Sequence, residues 1–260
     1  MIASRYYALL FAIAALSVAG QQGHFTVDIK PTAGEQLRYA NALEQEVITK
    51  PHGTPEYFDA VGKAAAALDV VVAKWPDRID DAGRACAEKA HLLLNEQMYS
   101  NAIAVCNDVR GLDQTPYGAV LHRLKGSALL RTQRYGEAEK EFDAADHHPK
   151  SKQMNSVDRA TLYNEMSWLN ERLGRFPQAS ACQRRAAGVD GQHSIFRALA
   201  FLKSVELNMH GSNEPEARAD LHDLDAALAS AWQANPLPEE ASRLRSIESE
   251  SKKWHKKLGV

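Results

Sequence analysis

Residues 134–142 read RYGEAEKEF, and the same phrase is written twice more, as MYSNAIAVC at 98–106 and RFPQASACQ at 175–183. Each copy has an aromatic residue second and an alanine fifth: Tyr99 and Ala102, Tyr135 and Ala138, Phe176 and Ala179. The copies begin 36 and 41 residues apart. A repeat of that length matches a pair of helices whose apolar face is too wide to bury alone, so that neighbouring pairs must stack.

Outward from these phrases, polar and proline-bearing breaks cut the chain into helix-length segments. They are PHGTP (51–55), Trp75-Pro76, GLDQTPYG (111–118), Pro149 with KSKQMNS (150–156), HGSN (210–213) and NPLP (235–238). The spacing predicts helices over 35–50, 55–75, 80–95, 100–110, 119–132, 136–147, 157–173, 177–188, 194–209, 215–232 and 238–258. Thr54 is the expected N-cap of the second, with Pro55 at its first position. The composition is 45% hydrophobic and 25% charged, with scarce valine/isoleucine alternation, as in an ordinary all-helical globular protein. The expected fold is therefore all-α: about four to five antiparallel helix pairs, then a last helix. That helix carries a narrow apolar stripe (Leu244, Ile247, Trp254, Leu258), an acidic start and a lysine-rich end. One buried face, one wet face and charges that complement the helix dipole suit a terminal cap.

The first 22 residues, MIASRYYALLFAIAALSVAGQQ, hold Arg5 and then no charge until Asp28. The apolar run over 6–20 matches the core of a secretory signal, with small residues at Val18, Ala19 and Gly20 for cleavage. An uncleaved anchor is the alternative, but membrane spans are longer. The expected organisation is a signal peptide at 1–20, a linker at 21–33, a helical-repeat region at 34–232 and a capping helix at 236–260. The chain is expected to be exported, periplasmic or secreted, with no transmembrane segment after cleavage. Removal of the signal leaves 30 basic against 33 acidic residues, which gives no field for nucleic acid.

The three phrases resemble the tetratricopeptide repeat (TPR) family over 83–113, 119–149 and 160–192. Small residues stand at the helix crossings: Ala90, Gly126 and Ser167 on the first helices, opposite Ala102, Ala138 and Ala179 on the second. Close helix packing requires small side chains there. Lysine at 89 and 125 replaces the family's leucine, and Cys106 and Gln183 replace its phenylalanine. The resemblance implies a TPR-like scaffold whose first helices line a concave groove for a protein or peptide segment. The groove positions it implies are Arg84, His91 and Asn95, then Arg123, Ser127 and Arg131, then Asn164, Trp168 and Arg172. Arginine and tryptophan dominate interface energies, and arginine pairs bidentately with carboxylates. The expected partner is thus an acidic or C-terminal segment of another protein. Cys86 and Cys106 fall on the two helices of one repeat, where a disulfide would staple it. Two buried thiols are the alternative, and Cys182 is the odd residue.

Catalytic signatures are absent from the sequence: no H-E-x-x-H, G-x-S-x-G, Walker loop, dinucleotide turn or C-x-x-C. Asp143, Asp146, His147 and His148 crowd one helix end, where a solvated terminus is a simpler reading than a metal site. The run KKWHKK (252–257) reads as the wet end of the cap helix. No cofactor or metal is expected. The leading reading is a non-catalytic scaffold. The alternatives are a helical enzyme with scattered site residues and a structural protein that associates through its ends.

Overall fold

The computed structural model describes residues 25–107, 115–189 and 194–260. The expected signal segment lies outside them, as do the ends of the linker, of the helix expected at 100–110 and of the repeats at 83–113 and 160–192. Among the described residues there are eleven α-helices, one short 3-10 turn and no strand. The chain divides after Tyr117 into two compact units. The first holds α1 (Ala33–Thr49), α2 (Pro55–Lys74), α3 (Ile79–Asn95) and α4 (Tyr99–Asn107). The second holds α5 (Pro116–Arg131), within whose first turn the division falls, and α6 (Tyr135–His147). The turn Ser151–Gln153 precedes α7 (Ser156–Arg172), α8 (Phe176–Ala187), α9 (Ser194–His210), α10 (Glu214–Gln233) and α11 (Pro238–Leu258).

The opening phrase now has a backbone explanation. Each of four helix pairs turns through one left-handed residue: Gln97 (φ 59°), Gln133 (φ 62°), Gly174 (φ 71°) and Ser212 (φ 57°). The next residue donates its N–H back into the finished helix: Met98 to Leu93 O at 2.8 Å, Arg134 to Leu129 O at 2.9 Å, Arg175 to Asn170 O and Asn213 to Asn208 O, both at 2.8 Å. This is the Schellman stop, which satisfies carbonyls that a helix end leaves open. Tyr99, Tyr135 and Phe176 open the second helix directly after it. Three helices that begin outside this device, α1, α2 and α7, use side-chain caps. Thr32 accepts the N–H of Glu35 and Thr54 that of Tyr57, both at 3.2 Å, and Asn155 accepts that of Asp158 at 2.8 Å.

In the first unit Leu37, Ala40, Leu43 and Val47 of α1 pack on Ala60, Val61, Ala64, Leu68 and Val71 of α2, joined by Ala85 and Leu92 of α3. Gln36 is sealed, and its Nε2 donates to Ala67 O at 3.2 Å. The extended residues 25–30 lie along this pair. The Phe25 ring covers Gly62, where a Cβ would come within 2.2 Å of it. Lys30 N donates to Gln36 Oε1 at 2.8 Å, and Lys30 Nζ sits 4.4 Å from the centre of the Tyr39 ring. Cys86 and Cys106 are half-buried on α3 and α4, the two helices of one pair.

In the second unit the crossings are tight where the sequence places small residues. A Cβ on Gly126 would lie 2.6 Å from the fully buried Phe142 ring. Ser167 Oγ donates to Ala179 O at 2.8 Å. At the next crossing a polar cluster joins the apolar contact of Val205 with Leu221 and Leu224. Asp220 Oδ2 accepts from Ser204 Oγ at 2.5 Å and from Asn208 Nδ2 at 2.7 Å, and Asn208 also reaches Ser180 Oγ at 2.8 Å. All four side chains are sealed from solvent. The last helix buries Leu244, Ile247, Ser251 and Leu258, with Trp254 packed partly beside them. Asp225 of α10 holds it at two points, accepting from Ser251 Oγ at 2.9 Å and meeting His255 Nε2 at 2.7 Å.

Candidate protein-binding faces

In the second unit the first helices α5 and α7 bring six of the expected groove residues to one region, in two layers. The inner layer is buried. Arg123 is 6% exposed, and its Nη2 donates to Asp158 Oδ1 at 2.7 Å while its Nη1 lies 3.7 Å from Glu165 Oε2. Ser127, also buried, donates to Arg123 O at 2.9 Å. Arg123 and Ser127 were expected to face a ligand; they are instead interior, because two carboxylates of α7 draw the guanidinium inward. Burial pushes the Glu165 carboxyl up, against the pull of Arg123.

The outer layer faces solvent. Trp168 is half-buried, and two exposed guanidinium groups flank it, Arg131 at 4.8 Å and Arg172 at 5.4 Å from the ring centre. Asn164 is exposed one turn earlier on α7. Cations over a tryptophan face are attracted by its quadrupole. From α9, Lys203 pairs with Glu171 at 3.0 Å beside this platform.

In the first unit Arg84, His91 and Asn95 are exposed on α3. Arg84 Nε is paired with Glu88 Oε1 at 2.7 Å. Beside them α1, which lies outside the three repeats that resemble the family, contributes residues that no motif marked. Arg38, Asn41, Ala42, Glu44 and Gln45 line an open depression of about 610 Å³ with Glu88. Asn41, with its amide turned to suit, donates to Glu88 Oε2 at 3.1 Å and accepts from Arg84 Nη2 at 3.2 Å. Burial, and next the charge of Glu88, raise the Glu44 carboxyl to about 7, with Arg84 opposing.

The acid and histidine cluster at the end of α6 is divided among separate contacts. Asp146 takes Arg185 at 2.6 Å, His147 Nδ1 meets Asp143 O at 2.9 Å, and His148 Nδ1 accepts the N–H of Lys150 at 3.1 Å. Among the described residues no three His, Cys, Asp or Glu side chains are placed to hold a metal ion. No described helix is long and apolar enough to cross a membrane.

No family model matches the sequence, and no curated protein is significantly similar to it. Solved structures do match in fold. The crystal structure of MamA protein aligns over 78% of this chain and 98% of its own, at 14% identity and a TM-score of 0.52. BtubC (BKLC) from P. vanneervenii aligns over 80% of this chain and 96% of its own, at 13% identity and a TM-score of 0.54. A Podosopora anserina kinesin light chain with nearly identical TPR-like repeats aligns over 79% of this chain and 100% of its own, at 13% identity and a TM-score of 0.54. This chain has the fold of a TPR-like α-solenoid, with five helix pairs and a C-terminal helix among the described residues.

Proposed function

We propose that this protein is a non-catalytic, exported scaffold that binds an acidic or C-terminal segment of another protein on the first-helix face of its second unit. The observation that supports this reading is the Trp168 platform, with Arg131 and Arg172 fixed over an aromatic ring and open to solvent. A rigid aromatic anchor flanked by bidentate donors suits a carboxylate-bearing peptide. Beneath it, Asp158 and Glu165 hold Arg123 and set the spacing of α5 and α7. Export rests on the apolar run over 6–20 and its small-residue end.

The test is titration of the protein with a tetraglutamate peptide bearing a free C-terminus, alongside its C-terminal amide, followed by calorimetry. Trp168→Ala and Arg131→Glu are each expected to weaken binding about tenfold or more with helicity unchanged. Loss of affinity on amidation assigns recognition to the terminal carboxylate. Retention assigns it to the glutamate side chains. Binding that ignores both substitutions removes the platform from the function.

A further inference from the structure

Residues 25–30 are neither helix nor strand, yet the α1–α2 pair receives them at three points. The first is a notch for a ring. Gly62 stands in the middle of α2, where glycine weakens a helix relative to alanine. The Phe25 ring takes the place of the missing side chain, its atoms 2.2 to 2.6 Å from where a Cβ would be. The second is an acceptor for a main-chain N–H. Gln36 is fully sealed; its Nε2 donates to Ala67 O at 3.2 Å, which fixes the amide and leaves Oε1 to accept Lys30 N at 2.8 Å. The third is the Tyr39 ring, whose centre lies 4.4 Å from Lys30 Nζ and whose face suits a cation.

The segment is lightly attached on its own side. Phe25, Val27 and Lys30 are half-buried, whereas Thr26, Asp28 and Ile29 are exposed. Pro31 keeps Lys30 extended. The helix behind it starts on its own cap, Thr32, which accepts the N–H of Glu35 at 3.2 Å, so α1 does not depend on the residues before it. Few buried contacts on a stretch with no secondary structure mark a segment that opens at low cost. We infer that the face of α1–α2 under residues 25–30 is a binding site for an extended segment of a partner protein, and that residues 25–30 fill it as a built-in competitor. The site takes an aromatic residue in the Gly62 notch, an aliphatic residue two positions on, where Val27 packs on the pair, and a lysine or arginine three positions further over Tyr39, with its N–H on Gln36.

Pro31 alone separates this strap from the cap of α1, so its effective concentration at the site is in the millimolar range or above. A free segment of equal affinity is therefore kept out. The site opens to a partner that binds more tightly or is itself concentrated beside it, which makes the strap an autoinhibitory contact with a set threshold. The inference rests on the protein-binding reading of the fold but uses no residue of the second unit. Its probe is neutral overall and apolar where the probe of the Trp168 platform is acidic, so each can fail while the other stands.

The test is calorimetry with the peptide acetyl-Phe-Thr-Val-Asp-Ile-Lys-Pro-amide, the strap sequence, and a counterpart with serine in place of phenylalanine. The protein carrying Phe25→Ser with Val27→Ser, which releases the strap, is expected to bind one peptide per chain, at least about tenfold more tightly than the parent, and to ignore the serine counterpart. Gly62→Ala added to the released protein is expected to weaken binding about tenfold, because its Cβ fills the notch. The same change is expected to raise the melting temperature there, since alanine favours the helix and no ring opposes it. Those opposite signs separate a filled notch from a damaged fold. With the strap intact, Gly62→Ala is expected to expel Phe25, read by mass spectrometry as faster chymotrypsin cleavage after it. Circular dichroism follows the helicity of each variant. The inference is overturned if the released protein binds the peptide no better than the parent, or if Gly62→Ala leaves its affinity unchanged. It is also overturned if release lowers the helicity, which makes residues 25–30 part of the core rather than an occupant of a site.

Discussion

In the first unit the paired helices α1 and α2 meet through Ala40, Ala64, Ala67 and Leu68, all fully sealed. In the second unit α8, α9 and α10 meet through Ser180, Ser204, Asn208 and Asp220, equally sealed but joined by hydrogen bonds of 2.5 to 2.8 Å. Apart from the Gln36 to Ala67 O bond, the alanine contacts bring α1 and α2 close without directional demands, so they tolerate small shifts. A buried polar set fixes one register, because moving any member leaves an unmatched donor or acceptor. The surfaces differ in the same sense. The first unit holds a partly buried carboxylate, Glu44, with one sealed and unmatched oxygen, and the second exposes arginines over tryptophan.

The largest expected effect tests the polar register. Asp220→Ala removes the acceptor of Ser204 and Asn208 and is expected to cost about 3 kcal/mol of stability, read as a lower urea midpoint. Asp220→Asn keeps an acceptor and costs about 1 kcal/mol. If alanine costs no more than asparagine, the two interiors do not differ in the way described.

The next effect compares one register position across the units. Gly126→Ala would gain about 1 kcal/mol on helix propensity alone. With Phe142 2.6 Å from the added carbon, it is expected instead to lose about 2 kcal/mol through overpacking. At the matching position of the first unit, Ala90 already carries that carbon and is fully buried, so Ala90→Gly is expected to lose about 1 kcal/mol. Thermal melts of the two variants decide the signs.

A smaller effect separates the two surfaces by pH. Glu44 is raised from 4.5 to about 7 on folding. The folded chain therefore holds that proton more tightly, and the associated stability is complete below pH 4.5 and lost as pH rises to 7. Glu44→Gln keeps the neutral form throughout. It should match the parent in acid and exceed it above pH 7 by about 1 kcal/mol, after discounting for the group's remaining solvent contact. Denaturation at pH 4.5 and pH 8 tests this.

The smallest effect concerns the device that both units share. Gln97 in the first unit and Gln133 in the second adopt the same left-handed turn conformation. Gln97→Gly and Gln133→Gly should each gain about 0.5–1 kcal/mol, and Gly174→Ala should lose about 1 kcal/mol. Unequal gains at 97 and 133 would show that the turns are held differently in the two units.

Much of the fold was legible in the sequence because helix pairs leave local marks. Thr54-Pro55 fixes a start, the small residues at 90, 126 and 167 fix the crossings, and the aromatics at 99, 135 and 176 mark where second helices begin. The left-handed stops were not legible at Gln97, Gln133 and Ser212. Only Gly174 carries the residue that such a stop favours, and the neighbouring hydrogen bonds impose the conformation on the others. Of the expected binding residues, Arg131, Trp168 and Arg172 do form a surface cluster. Arg123 does not join it, and the acid pair of α1 and α3 gave no motif.

The sequence by itself determined that this chain is helical, that its helices come in pairs, and where each pair crosses. Those features follow from the spacing of apolar and small residues within a few turns of one chain segment. Only the tertiary structure decided which charges are inside and which meet solvent. Arg123 is buried because Asp158, 35 positions away, reaches it, and the Glu44 carboxyl is raised because burial and Glu88 on another helix outweigh Arg84. The state of a charge is set by its neighbours in space, and no periodicity along the chain records them.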